Sequence, residues 1–242
     1  MESPLPQGVA LEGERKGKYV REMFSAIAPR YDVLNRVLSL TIDRRWRRKT
    51  VDRLGWEREP HGRYLDLCAG TLDLAAELRR RPGFVGEVVG ADFSVPMLHV
   101  GKNKAPRLAA VGADALRLPF PDAAFHGAMV AFGIRNLTDM DAGLAEMARV
   151  LRPGGHLVIL EFSLPTRWPV RSLYLMYFRQ ILPRIGRLVS KHTSAYTYLP
   201  DSVHAFPEPA AMVEHIREKA FVHVEHRALT WGIASLYTAV RT

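Results

Sequence analysis

Leu65-Asp66-Leu67-Cys68-Ala69-Gly70-Thr71-Leu72-Asp73-Leu74-Ala75 carries an apolar strand into a small-residue turn that opens onto a helix. Such a junction can hold a nucleotide, because small residues let the backbone approach a ligand and the turn's N–H groups face it from the helix N-terminus. A second apolar run, Val85 to Ala91, ends in Asp92, twenty-two residues beyond Gly70. Neighbouring parallel strands end on one edge of a sheet, so this carboxylate stands where a ribose diol would lie and can accept both hydroxyls. An ordinary strand-to-helix turn, with Asp92 as a helix cap, would use the same residues.

The turn keeps one central glycine, flanked by Cys68 and Leu72, in place of G-x-G-x-x-G. It serves a pyrophosphate poorly, whereas a nucleoside carrying an amino acid, such as S-adenosylmethionine, has no phosphate to cradle. Asp114-Ala115 follows a third strand and precedes the proline-set turn Leu118-Pro119-Phe120-Pro121-Asp122. A carboxylate there can accept from the exocyclic amine of adenine while the next backbone N–H donates to the ring; it can equally cap the turn.

These residues need a sheet to position them. From Tyr64 onward, strands ending near Leu67, Asp92, Gly112, Phe132 and Glu161 alternate with helices, a rhythm that specifies a parallel sheet covered on both faces. Pro153-Gly154-Gly155 reads as a reversal that ends a helix and launches the strand to Glu161. Pro209 to Ala220 reads as a helix, and Val222 to Leu229 with Trp231 to Val240 as a closing strand pair. The expected fold is α/β: a Rossmann-like S-adenosylmethionine-dependent methyltransferase with a seven-stranded, mostly parallel sheet and helices on both faces. Upstream, Val20, Phe24 and Ile27, then Val33, Leu34, Val37 and Leu38, predict two helices broken at Pro29. Residues 1–16 read as a mobile tail and 17–242 as a single domain. Within it, 17–60 form the N-terminal helices and 164–207 a substrate-side insertion, or lid, where aromatic and aliphatic residues mix with arginines.

At 242 residues, 48% hydrophobic and 24% charged, the chain fits one sizeable α/β domain, and neither wholesale disorder nor a polytopic membrane protein is indicated. The net charge of +9 suits nucleic acid, an anionic membrane surface or an acidic substrate without choosing among them. Cys68 is the only cysteine, which excludes an intrachain disulfide and any multi-cysteine metal site. No metal is expected, and a reducing cytosol fits. Met1-Glu2-Ser3-Pro4-Leu5-Pro6 has neither the basic start nor the apolar run of a secretion signal.

Two long motifs, Tyr31-Asp32-Val33-Leu34-Asn35 followed by Ser39 and Arg44-Arg45-Trp46, and Arg149 to Ser163, resemble the menaquinone and ubiquinone biosynthesis C-methyltransferases. Leu65 to Asp73, Asp92-Phe93-Ser94, Leu118 to Asp122, Phe132-Gly133-Ile134-Arg135-Asn136 and Tyr196-Thr197-Tyr198-Leu199-Pro200 fit the same pattern. The resemblance runs from about Tyr19 to the C-terminus. It implies cofactor contacts at Asp66, Gly70, Thr71, Asp92, Phe93, Asp114, Ala115 and, through its backbone, Ala131. Leu34, Asp43, Leu72, Ala131 and Tyr237 depart from the residues usual in the family, so no catalytic histidine is expected at 43 or 237. The form of the cofactor turn looks more like the menaquinone branch.

The resemblance implies methylation of a ring carbon of a prenylated hydroquinone, with 2-demethylmenaquinol to menaquinol favoured. Loss of a phenolic proton would drive electron density onto the adjacent carbon, so a base and an oxyanion stabiliser are wanted. Arg135 is the oxyanion candidate, with Asn136 beside it. Asp73 and Tyr31 are candidates for proton acceptor, and His192, Tyr196 and Tyr198 are runners-up. The insertion's apolar residues, among them Leu173, Leu175 and Phe178, would take the isoprenoid tail. Its arginines, Arg179, Arg184 and Arg187, would meet headgroups in peripheral contact at the inner face of a membrane. The competing readings are an RNA or other small-molecule methyltransferase and a non-catalytic scaffold. A nucleic-acid partner is not expected, the location is read as cytoplasmic, and a homo-oligomer is left open.

Overall fold

Alternate residues of the central strands bury on opposite faces, with Leu65, Leu67, Ala128, Val130 and Ile159 in one apolar cluster and Tyr64, Met129, Val158 and Leu160 in the other. The computed structural model describes residues 11, 13–39, 41–177 and 194–242. Its strands are β1 (Arg63–Leu67), β2 (Glu87–Asp92), β3 (Ala109–Gly112), β4 (Phe125–Ala131), β5 (Leu151–Phe162), β6 (Phe221–Leu229) and β7 (Ala234–Arg241). They form one seven-stranded sheet in the order β3-β2-β1-β4-β5-β7-β6. The first five are parallel, and β7 runs antiparallel to β5 and β6. Strand order reverses at β1, which pairs with both β2 and β4, so a crevice opens beyond the carboxyl ends of these strands.

Helices cover both faces. Trp46 and Val51 of α3 (Ile42–Asp52), Leu74 and Leu78 of α4 (Asp73–Arg79) and Leu98 of α5 (Val95–Lys104) fill one. Leu144 and Met147 of α6 (Met140–Val150) fill the other, with Met212 and Ile216 of α9 (Pro209–Arg217). The substrate-side segment supplies α7 (Val170–Met176) and α8 (Ser194–Ala205). Residues 178–193, including Phe178, Arg179, Arg184, Arg187 and His192, lie outside the described residues, as does the side chain of Tyr196.

The N-terminal region departs from expectation. α1 (Gly13–Ile27) and α2 (Tyr31–Ser39) flank a 3₁₀ turn, Ala28–Arg30, that contains Pro29. A third helix, α3, follows them; its IDRRWRRKTVD sequence shows few apolar positions because only Trp46, Thr50 and Val51, with Asp43, are buried. α1 begins within the segment read as a tail, and Lys16 Nζ donates to the Leu137 carbonyl at 2.7 Å. Pro153-Gly154-Gly155 is not a reversal ahead of the strand. It bulges within β5, where Phe125 pairs with Leu151 but Gly127 with His156, and Gly154 takes φ +76°. Trp231 lies in a 3₁₀ turn, Thr230–Gly232, rather than in β7.

Candidate active site

Between β1 and α4 the chain takes three left-handed residues, Cys68 (φ 53°), Gly70 (φ 51°) and Leu72 (φ 62°). Only glycine adopts this conformation without a steric cost, so the two others must be held by their surroundings. Leu72 is fully buried. Its side chain fills the space that Cβ atoms would occupy at Gly90, against Leu72 Cδ2, and at Gly101, 2.7 Å from Leu72 Cγ. The bulk at position 72 is thus accommodated by two glycines on β2 and α5, and the turn keeps its shape.

An open hollow of about 780 Å³ lies beyond the strand ends, lined by Gly70, Asp92, Phe93, Asp114, Ala115, Ala131 and Asn136. Asp92 Oδ2 accepts the Gly70 N–H and its Oδ1 the Ser94 N–H, each at 2.8 Å. Ser94, not Asp92, holds the N-cap position of α5. Each carboxylate oxygen retains a lone pair for a ribose hydroxyl. Burial pushes Asp92 up to about 6, against the pull of those two backbone donors. Asp114 Oδ1 accepts the Leu116 N–H at 2.9 Å, and Ala115 between them lines the hollow.

A smaller recess of about 270 Å³ adjoins this hollow, sharing Tyr31, Cys68, Gly70 and Ala131, and adds Arg47, Asp66, Thr71 and Asp73. Asp66 Oδ2 accepts the Ala75 N–H at 2.9 Å, and burial pushes this carboxyl up to about 7. Burial opposes the Arg47 cation, but Asp73, Tyr31 and Asp43 around it raise its pKa. Arg47 Nε lies 3.4 Å from Asp43 Oδ2 and Nη2 3.8 Å from Asp73 Oδ2. Lys104 Nζ bridges Asp32 at 2.6 Å and Asp73 at 2.9 Å, and Thr71 Oγ1 donates to Asp32 at 2.6 Å. An enclosed cation with a carboxylate of raised pKa matches the carboxylate and ammonium ends of an amino acid, while the larger hollow presents adenosine-type partners.

The model of the ubiE/COQ5 methyltransferase family matches residues 12–241. The chain belongs to this family. It is 49% identical to the demethylmenaquinone methyltransferase of Deinococcus radiodurans, covering 92% of each chain. It is 48% identical to the Thermus thermophilus protein of the same name, over 90% of this chain and 100% of the relative. The ubiquinone/menaquinone biosynthesis C-methyltransferase UbiE of Geobacter sulfurreducens is 45% identical over 92% of this chain and 88% of its own. Among solved structures, a methyltransferase of Thermotoga maritima superposes with a TM-score of 0.63 at 15% identity, covering 91% of this chain and 99% of that one. This likeness shows the fold, a Rossmann-like methyltransferase sheet. The enzyme uses S-adenosylmethionine.

Of the expected catalytic residues, Tyr31 lines both compartments, Asp73 the smaller and Asn136 the larger. Arg135 lines neither. Its Nη1 donates to Glu161 Oε1 at 2.5 Å and to the Phe132 carbonyl at 2.7 Å, and its Nε to Ser202 Oγ of α8 at 3.3 Å. The guanidinium carbon sits 5.5 Å from the centre of the Phe162 ring, which stacks on Phe132 at 4.3 Å. Phe132 also faces the hollow. Asn136 Oδ1 accepts from Tyr198 Oη at 3.1 Å, so α8 is fastened to the Ile134–Asn136 turn at two points.

The geometry narrows the acid–base roles. Burial opposes ionisation of Asp73, but Arg47 and Lys104 hold its pKa below the usual carboxylate value, which makes it a weak proton acceptor. Burial raises the Tyr31 phenol, which therefore stays protonated near neutrality and donates. Arg47 escaped the sequence reading although it follows Arg44-Arg45-Trp46 directly and stands four residues from Asp43, one helical turn away. Gly17, Arg21 and Phe24, at i, i+4 and i+7 of α1, line the hollow and were equally missed.

Proposed function

We propose that this methyltransferase transfers the methyl group of S-adenosylmethionine to a ring carbon of a prenylated hydroquinone, 2-demethylmenaquinol giving menaquinol being the favoured case. The observation that carries the proposal is the two-part hollow, which has a charged amino-acid end and a nucleoside end and opens beside the stacked Phe132 and Phe162 rings. Asp92, Asp114 and the Ala115 amide would hold the adenosine. Asp66 and Arg47 would hold the amino-acid end, with Gly70, Thr71 and Ala131 closing around it, and Phe93 would lie on the adenosine side. Bound there, the cofactor supplies an electrophilic sulfonium methyl.

The chain's own residues must position the acceptor and stabilise its oxyanion. Arg135 lines neither compartment and is fixed by Glu161 against the Phe162 ring, so it would act on the acceptor as a positioning residue, seating Phe162 and α8, rather than by touching the oxyanion, while Asn136, held by Tyr198 and facing the hollow, would be an orienting amide. Asp73 and Tyr31 are reassigned from proton acceptor to cofactor binding, because one is too weak a base and the other keeps its proton. The names of the relatives at 48–49% identity support the menaquinone branch. A cytoplasmic location with peripheral contact at the inner membrane face fits an acceptor with an isoprenoid tail, and no helix among the described residues is long and apolar enough to cross a membrane.

Labelled cofactor incubated anaerobically with a short-tailed demethylmenaquinol, or with bulk RNA, tests this reading. Label in the quinol alone is expected. Label in RNA, or in neither, would overturn it.

A further inference from the structure

We propose that the rim built from residues 165–176 and the Thr230–Gly232 turn is a docking surface for an anionic lipid bilayer, entered by Trp168 and Trp231. Of the four tryptophans, Trp46 and Trp56 are 4% and 8% exposed, whereas Trp168 and Trp231 are 82% and 73% exposed. The loops that carry the exposed pair are fastened together. Ser163 Oγ donates to the Gly232 carbonyl at 2.8 Å and the Ser163 N–H to the Ile233 carbonyl at 3.1 Å, while Pro165 stands against Gly232. On α7, Tyr174 turns inward onto Leu164 and Ile233, leaving Leu173 and Met176 63% and 43% exposed.

Charge completes the match. Arg167 and Arg171 are exposed one helical turn apart, and neither residues 165–176 nor the Thr230–Gly232 turn contains an Asp or Glu. Tryptophan pairs an apolar ring with a polar N–H and suits the headgroup boundary, and arginine forks onto lipid phosphate. Aliphatic Leu173 and Met176 beside the two rings favour acyl chains over nucleic-acid bases, which stack on flat rings. The purpose rests on the prenylated-acceptor reading: docking would bring the end of β5, where Phe162 stands, to the bilayer that holds the acceptor.

The test is co-sedimentation of the whole protein, without acceptor, with vesicles of phosphatidylglycerol and phosphatidylethanolamine or of phosphatidylcholine alone, with tryptophan emission recorded. Wild type is expected to partition onto the anionic vesicles with a blue shift. The Trp168→Ser/Trp231→Ser pair should lose about tenfold or more of that partitioning, and Arg167→Gln/Arg171→Gln the preference for anionic lipid. Both pairs should keep the wild-type rate on a short-tailed, water-soluble hydroquinone. Undiminished vesicle binding by the tryptophan pair, or wild type that binds bulk RNA and ignores vesicles, would overturn the proposal. Vesicle binding that depends on the tryptophans, in a protein that does not methylate the soluble hydroquinone, would uphold docking while removing the reaction assigned above.

Discussion

Arg135 and Glu161 form a buried ion pair, Nη1 2.5 Å from Oε1, with side chains 6% and 0% exposed. A guanidinium on a solvent surface could serve any anion, but this one is held at one place behind the Phe162 ring and also grips Ser202 of α8. Removing either partner leaves an uncompensated buried group, which costs about 3–5 kcal/mol. Arg135→Ala should therefore lower Tm and also reduce the single-turnover rate by up to about 10²-fold through misplacement of the acceptor, with cofactor affinity nearly intact. Glu161→Gln separates the two roles, because it weakens the anchor but keeps the cation. A much larger rate loss in Arg135→Ala than in Glu161→Gln, at matched folded fraction, is expected. Equal losses would reduce Arg135 to a fastener of α8.

Asp92→Ala should weaken S-adenosylmethionine binding about tenfold to a hundredfold, since a hydrogen bond to a charged acceptor contributes about 1.5–3 kcal/mol. The same change orphans the Gly70 and Ser94 amides that Asp92 now pairs. Asp92→Asn keeps one acceptor oxygen and should recover part of the loss. Isothermal titration of both variants, with circular dichroism as the fold control, decides it. Unchanged affinity would take Asp92 out of the site.

Cofactor affinity should rise with pH between about 5 and 8. Asp66 and Asp92 sit at about 7 and about 6 in the free protein because burial penalises their charge. An ammonium beside Asp66 and ribose hydroxyls at Asp92 favour the ionised forms, so binding releases protons at acidic and neutral pH and stops doing so above about 8. In the free protein the sign for stability is opposite. Both groups hold protons in the folded state that the unfolded chain has already lost, so their contribution to stability falls as pH rises from near 4 through the folded values. Titration in buffers of different ionisation enthalpy would count the protons released. No proton release at pH 6, or a flat affinity profile, would contradict the assignment.

The parts of this site that were legible in the sequence are local. The β1 turn, Gly70, Asp92 at a strand end and Asp114 before a proline-set turn all follow from short-range periodicity and turn chemistry. What was not legible depends on residues far apart in the chain. Leu72 is an odd choice for a left-handed turn position until Gly90 and Gly101 are seen to make room for it. Arg47 gains its role only when α3 packs beside α4 and brings it to Asp73. Arg135 looked like a free cation because Glu161, twenty-six residues on, gives no sign in sequence that it will close on it. The third N-terminal helix was hidden by its arginines, since one apolar edge suffices to seat it.

Lys104 joins α2 to α4 through Asp32 and Asp73, of which Asp73 lines the smaller recess, and Asp32 also accepts from Thr71 in the cofactor turn. If this bridge holds α2 over the bound cofactor, Lys104→Met should speed cofactor release. A single exposed pair is worth up to about 1 kcal/mol, and Lys104, about a third exposed, engages two carboxylates at once, so an increase of roughly three- to tenfold in the dissociation rate is expected. The bridge is screened by salt, so the wild-type rate should climb toward the variant's as ionic strength goes from about 0.05 M to about 0.5 M, while the variant's changes little. Asp32→Asn should reproduce the Lys104→Met rate, and the double variant should be no faster than either single one, because both substitutions cut the same tie. Stopped-flow displacement of a fluorescent cofactor analogue gives these rates directly. Additive effects of the two substitutions, or a wild-type rate indifferent to salt, would mean that α2 is seated by Tyr31 and its apolar contacts alone.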